Sequence, residues 1–245
     1  LPAGAGCLLF MIRKFEILHI GRAEWKPDAH MMSVLCGMGI PMGLQYSITA
    51  VGSVILQSAT NTLGSEAVAA VTAGSKVSCF LACPFDALGS TMATYGGQNV
   101  GAGKLERIGP GLRVAVIMGA VYSVMAFLLI FFGGEWVAGL FVENREVGII
   151  GYVRQYLLFN TAAFFLLALV NIVRFLIQGM GFANFAILAG VLEMIARSMA
   201  GIIFVPLFGF TGVCMGSCTA WILADLFLIP AYFLVLGKLK KRHQK

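Results

Sequence analysis

Residues 94–109, TYGGQNVGAGKLERIG, hold five glycines, an amide pair and a lysine-arginine couple. A glycine-rich loop can cradle phosphate on its backbone N–H groups, but a P-loop reads G-x-x-x-x-G-K-[ST]. Here Lys104 follows Gly103 and is followed by Leu105, so the hydroxyl that would hold Mg²⁺ is absent, and no G-x-G-x-x-G fingerprint occurs in the stretch. The same residues suit a joint between two helices. Gly96 and Gly97 are expected to end the first helix, and Gly101 and Gly103 to make a tight turn. Lys104 and Arg107 would then lie among lipid phosphates while Leu105, Ile108 and Leu112 face the apolar side. Gly97, Gln98, Asn99, Gly101, Gly103 and Arg107 are therefore expected to form a structural loop.

The other groups with chemical potential are charges set in long apolar runs: Lys76, Asp86, Glu193, Arg197 and Asp225. A charge at the centre of an isolated membrane span costs about 2.5–3.5 kcal/mol, so each should be paired, near an interface or lining water. Glu193 and Arg197 are four apart with the carboxylate first, which puts both on one helical face. They can form a structural ion pair or take part in coupling and gating. Lys76 and Asp86, ten residues apart, are separated by about 15 Å along a straight helix and cannot pair directly. Pro84, between them, can kink that helix. Lys76 then needs a carboxylate on another helix or in another lobe, Asp86 is expected near the inner interface, and Asp225 has Trp221 as its aromatic neighbour.

Uncharged polar side chains extend the candidate pathway. Gln45, Thr49 and Gln57 project to one side of the first span, and Asn171 and Gln178 do likewise across the fourth and fifth. They can bond between helices, worth about 0.6 kcal/mol per contact in membranes, or line a wet path for substrate or cation. With Lys76, Glu193 and Arg197 they make up the candidate substrate or ion pathway. Tyr46, Phe80, Phe164, Phe165 and Phe175 can offer ring faces to an organic cation. The pairs Cys79/Cys83 and Cys214/Cys218 are four apart on helices and read as small packing residues, without a disulfide or a metal. No nucleophile triad or metallohydrolase signature appears. No catalytic residue, enzyme activity, metal or cofactor is therefore expected.

These side chains need elements to carry them. Hydrophobic residues form 59% of the 245 and charged residues 11%, with mean hydropathy +0.90. An ordinary soluble domain carries about 25% charge. Residues 114–132 and 155–173 are each nineteen uncharged positions, close to the length needed for roughly 30 Å of hydrocarbon. Breaks at glycine, proline and charge clusters give six spans: about 34–58, 67–92, 113–133, 152–173, 184–207 and 213–236. Residues 1–12 are an apolar stub too short to cross. The chain thus divides into 1–33, the end of a preceding helix and a cytoplasmic linker; 34–236, a six-helix lobe; and 237–245, a basic cytoplasmic tail. Beginning with Leu, it is expected to be part of a longer protein.

Charge placement orients this chain. With the first loop inside, Arg13, Lys14, Arg22, Lys26, Lys104, Arg107, Arg113, Arg174 and the basic residues from Lys238 to Lys245 fall on the inner side, and Arg145 alone occupies an outer loop. The inner, cytoplasmic membrane is the expected location, with a cytoplasmic C-terminus. The net charge of +6 is matched by an anionic lipid leaflet and needs no nucleic acid.

GGQNVGAGKLER, followed by a long apolar span, resembles the loop between the eighth and ninth helices of the multidrug and toxic compound extrusion (MATE) transporters. The resemblance continues through GMGIPMGLQYSI at 37–48, GGEWVAGLFVENREVGIIGYVRQYL at 133–157, LIQGMGFANFAILAGVLEMIAR at 176–197 and GFTGVCMGSCTAWILAD at 209–225. It implies an all-α integral membrane protein, a six-transmembrane-helix bundle resembling the C-terminal lobe of a twelve-helix MATE transporter. It also implies a missing N-terminal lobe of the same protein, a central cavity open alternately to each side, and organic, often cationic substrates exchanged for H⁺ or Na⁺. The alternative within the wider superfamily is a flippase for a lipid-linked saccharide. One branch of the family carries cation-coupling carboxylates at positions that fall here on Thr49 and near Leu167, so the resemblance does not bring that site into this lobe.

Overall fold

The computed structural model describes Gly4, Gly6, Phe10, Met11, Arg13, Lys14 and residues 28–141 and 147–243. Most of the expected linker, with Arg22 and Lys26, lies outside the described residues, as do Arg145 and Lys245. The chain divides into two compact units, Leu1–Gly37 and Met38–Lys245. All the residues of the candidate site belong to the second.

The described elements are helical: α1 (Ala29–Asn61), α2 (Ser65–Gly101), a 3-10 turn (Leu105–Arg107), α3 (Ile108–Phe141), α4 (Val147–Ala162), α5 (Phe164–Gly179) and α6 (Asn184–Met199). A π-turn (Ala200–Phe204), α7 (Val205–Phe208) and α8 (Phe210–His243) complete them. Five helical segments are long and apolar enough to cross a membrane, and the bent pair α4–α5 makes a sixth. A six-span, all-α bundle is therefore present. α8 continues through the expected basic tail to His243, so the charged end of the chain is helical as far as it is described.

The fourth span is not straight. α4 and α5 meet at Ala163 with a 49° bend, and local side chains explain it. Asn160 donates its amide to the Tyr156 carbonyl at 3.0 Å and Thr161 its hydroxyl to that of Leu157 at 2.8 Å. Such back-bonding to the preceding turn bends helices. The Ala163 N–H is shared between the carbonyls of Phe159 and Asn160. Beyond the bend α5 runs to Gly179, six residues past the expected end at 173, and carries Arg174 inside the bundle. The π-turn precedes Pro206, whose missing N–H already interrupts the helical ladder. In contrast, α2 runs unbroken through Pro84.

α5 is the hub of the lobe, packing against α2, α3, α6 and α8. One apolar cluster joins Phe85, Ile108, Phe164, Leu176, Trp221 and Leu228; a second joins Val77, Ile130, Val153, Leu157 and Val213. Lipid tails are as apolar as leucine, so close approach between backbones replaces the hydrophobic drive of water. At Gly179 a side chain would collide with the Ala93 carbonyl of α2, and at Gly52 a Cβ would fall 2.8 Å from Cα of Met194.

The expected joint takes a corrected form. α2 does not end at Gly96 or Gly97 but runs on to Gly101, because those glycines serve packing. Gly96 lies against Leu176, and Gly97 against the Gly179 carbonyl. The turn itself is made at Gly103, whose φ of 70° suits glycine. Tyr95 donates its hydroxyl to the Arg107 carbonyl at 2.9 Å, and Asn99 its amide to the Tyr95 carbonyl at 2.8 Å. Leu105 and Ile108 are buried, while Gln98, Gly101, Lys104 and Arg107 are exposed.

Candidate functional site

The first part of the site is an exposed stripe on α2. Thr72, Lys76, Cys79, Cys83, Asp86 and Ser90 recur at alternating spacings of four and three, and all six are exposed. This spacing puts them on one face of the helix. The hydroxyls bond back to their own helix, Thr72 to the Val68 carbonyl at 2.7 Å and Ser90 to that of Asp86 at 2.9 Å. Lys76 has no carboxylate within salt-bridge distance among the described residues. Phe80, 76% exposed, adds a free ring beside the stripe, and Tyr46 and Ser53 are exposed on α1.

Behind the stripe, α5 presents Asn171, Arg174 and Gln178, a polar edge at spacings of three and four on an otherwise apolar helix. All three are buried. Asn171 donates to the Asp86 carboxylate at 3.0 Å, and Gln178 donates to the Gln45 side-chain oxygen at 3.1 Å. Gln45 and Thr49 together face Gly190 of α6. The Thr49 hydroxyl oxygen and the Gln178 side-chain oxygen are buried without a donor. Gln57 lies apart from this group and bonds to Asn61 at 3.2 Å.

The deepest part is a charge cluster. Glu193 is 2% exposed and receives Arg174 of α5 on one carboxylate oxygen and Arg197, at 3.2 Å, on the other. Arg174 is 6% exposed and keeps its Nε–H without an acceptor. Asp225 of α8 is 5% exposed, and neither of its oxygens has a donor. Its charged neighbours are Arg174 and Glu193, and Arg174 is in turn a neighbour of Asp86. Five charged side chains from α2, α5, α6 and α8 thus form one connected group.

The sequence reading places Arg174 in a connection on the inner side and leaves Asp225 and Asp86 out of the pathway set. The structure buries Arg174 within α5 and not in a connection, because the bent fourth span extends past residue 173. The spacing of Asn171, Arg174 and Gln178 is a visible signal of a polar face. The signal for Asp225 is a lone charge in a long apolar run, which does not reveal its neighbours on α5 and α6. Of the aromatic candidates, Phe164 is buried against Phe85, with ring centroids 5.4 Å apart. Phe175 packs at Gly89. Tyr46, Phe80 and Phe165 keep exposed faces.

Length, apolarity and buried interhelical charge define this chain as a polytopic α-helical membrane protein. The MatE family model matches residues 41–203, and the chain belongs to that family. Solved structures agree on the fold. A MATE protein in the bent conformation matches with a TM-score of 0.85 at 17% identity, over 98% of this chain and 54% of its own. An outward-facing multidrug resistance MATE family transporter of the MOP superfamily matches with a TM-score of 0.86 at 17% identity, over 96% and 54%. A MOP superfamily transporter from Pyrococcus furiosus, described as having a binding pocket of reverse polarity, matches with a TM-score of 0.71 at 21% identity, over 82% and 44%. This chain spans about half the length of the first two structures. No curated protein matches it.

Proposed function

We propose that this chain is the C-terminal lobe of a secondary active transporter that exports organic, often cationic compounds in exchange for H⁺ or Na⁺, without covalent chemistry on the substrate. The observation that carries the reading is the exposed stripe of α2. A row containing Lys76 and Asp86 on a span of this length is expensive against lipid and natural against water. The second lobe of the same protein, placed opposite, would close a cavity over that stripe, and Phe80 and Tyr46 would give an organic cation ring faces to bind. The lobe would sit in the inner membrane, with Lys104, Arg107 and the Lys238–Arg242 end of α8 toward the cytoplasm.

The test is efflux by the full-length protein in proteoliposomes, with Na⁺ and pH gradients imposed separately and a fluorescent organic cation as cargo. Export that follows either gradient supports the proposal and identifies the ion. Export only when ATP is supplied overturns it. Scrambling of a lipid-linked saccharide without cation export would assign the protein to the flippase class instead.

A further inference from the structure

Among the buried charges one carboxylate has no donor. Glu193 is fully occupied by the two guanidinium groups, and Asp86 has Asn171. Asp225 has no donor on either oxygen. A buried carboxylate without donors is the least tolerable charge in a low-dielectric interior, whereas a buried carboxylic acid is tolerable there. One proton on Asp225 removes that undonated charge.

We infer that Asp225 is a proton-binding site whose discharge redirects Arg174. With its proton in place, Asp225 is a neutral acid and Arg174 stays on Glu193, as the structure has it. When the proton leaves, the carboxylate competes for the guanidinium, whose Nε–H has no acceptor. Glu193 keeps Arg197, so the exchange leaves neither carboxylate without a cation. It also draws α5, which starts at the 49° bend, toward α8. Protonation of one side chain thereby biases two arrangements of packed helices, which is what a coupling site requires.

The surroundings of Asp225 permit a proton. The charged groups facing it are Arg174 from α5 and Glu193 from α6. Behind them, Arg197 of α6 closes on Glu193, Asp86 of α2 neighbours Arg174, and Tyr156 of α4 neighbours Arg197. On α8 itself, Cys218 and Tyr232 are each two turns away, and Lys238 stands about 20 Å along the axis. Asp86, exposed on the stripe and bonded to Asn171, links this site to the open face from which the proton would come.

The purpose of the site rests on the transport reading above; its chemistry does not. The test is infrared titration of the full-length protein in lipid, following the C=O stretch of buried protonated carboxyl groups. A band is expected that fades with rising pH, that Asp225→Asn abolishes, and that persists to more alkaline pH in Arg174→Gln, where the competing guanidinium is gone. A wild-type spectrum without such a band, or one that survives Asp225→Asn, overturns the inference. So does loss of the band when Na⁺ is added at constant pH, since the site would then take the metal. If Asp225→Asn does not fold, Asp225→Glu replaces it, and a titration curve identical to wild type sinks the idea. Failure of the wild type to export an organic cation under any gradient would defeat the transport proposal alone and leave the infrared result to decide the proton site.

Discussion

Helices α2 and α3 lie side by side, both are long enough to span a membrane, and each leaves one face uncovered. On α3 that face is Val114, Ile117, Met118, Val121, Val124, Met125, Leu128 and Phe132; on α2 it is Thr72, Lys76, Cys79, Cys83, Asp86 and Ser90. Hydrocarbon gives no hydrogen bonds and solvates no charge, so the two faces meet different solvents. The α3 face belongs against lipid, and the α2 face against water or a second lobe. Hydropathy averaged over a window shows both as spans. Only which polar residues remain uncovered after packing separates a wall of a pathway from the outside of the protein.

The largest expected effect concerns polar groups that meet neither solvent. Glu193→Gln leaves Arg174 and Arg197 buried with one neutral oxygen between them. Breaking a buried pair by removing one partner costs about 3–5 kcal/mol. The folded yield and thermal midpoint of the full-length protein in detergent should fall steeply, with less change in which cargo the surviving fraction accepts. A normal yield with selective loss of response to an ion gradient would show that Glu193 acts in coupling rather than in holding α5 to α6.

The next effect contrasts the two faces directly. Val121→Arg places a charge on the uncovered side of α3 and should cost about 2.5–3.5 kcal/mol in membrane insertion. Thr72→Arg, on the α2 stripe, should cost far less, because its guanidinium reaches water. Glycosylation-mapped insertion of the full-length chain measures both. Equal penalties would remove the distinction between the faces and with it the basis for a pathway along α2.

Much of this lobe is legible in the sequence because lipid imposes length. The glycine, proline and charge breaks put all six spans in their places, and Glu193 with Arg197 is a pair visible from spacing alone. The parts that were not legible depend on tertiary geometry or on a local bend. Arg174 reads as a loop residue only if the fourth span is a straight helix; the back-bonded Asn160 and Thr161 bend it, so it continues to Gly179. Gly96 and Gly97 read as a helix end because glycine often ends helices, yet a glycine also admits a neighbouring backbone, and only the position of α5 decides between those uses. Asp225 sits in an ordinary apolar run, and its isolation among Arg174 and Glu193 is a property of three helices together.

The smallest effect tests whether the covered side of α2 is as demanding as the uncovered side of α3 is permissive. At Gly179 an added methyl meets the Ala93 carbonyl, and a backbone cannot turn aside as a side chain can. Gly179→Ala should therefore lower stability by about 1–3 kcal/mol, the range of overpacked interiors. Gly133 lies on α3 with nothing within 4 Å of where a Cβ would stand. Gly133→Ala should instead stabilise by about 0.5–1 kcal/mol, since alanine loses less backbone freedom in a helix. Thermal unfolding of the two variants in the same detergent gives both signs in one experiment. A destabilising Gly133→Ala would mean that something covers this part of α3 in the assembled protein, and the face assigned to lipid would then have to be redrawn there.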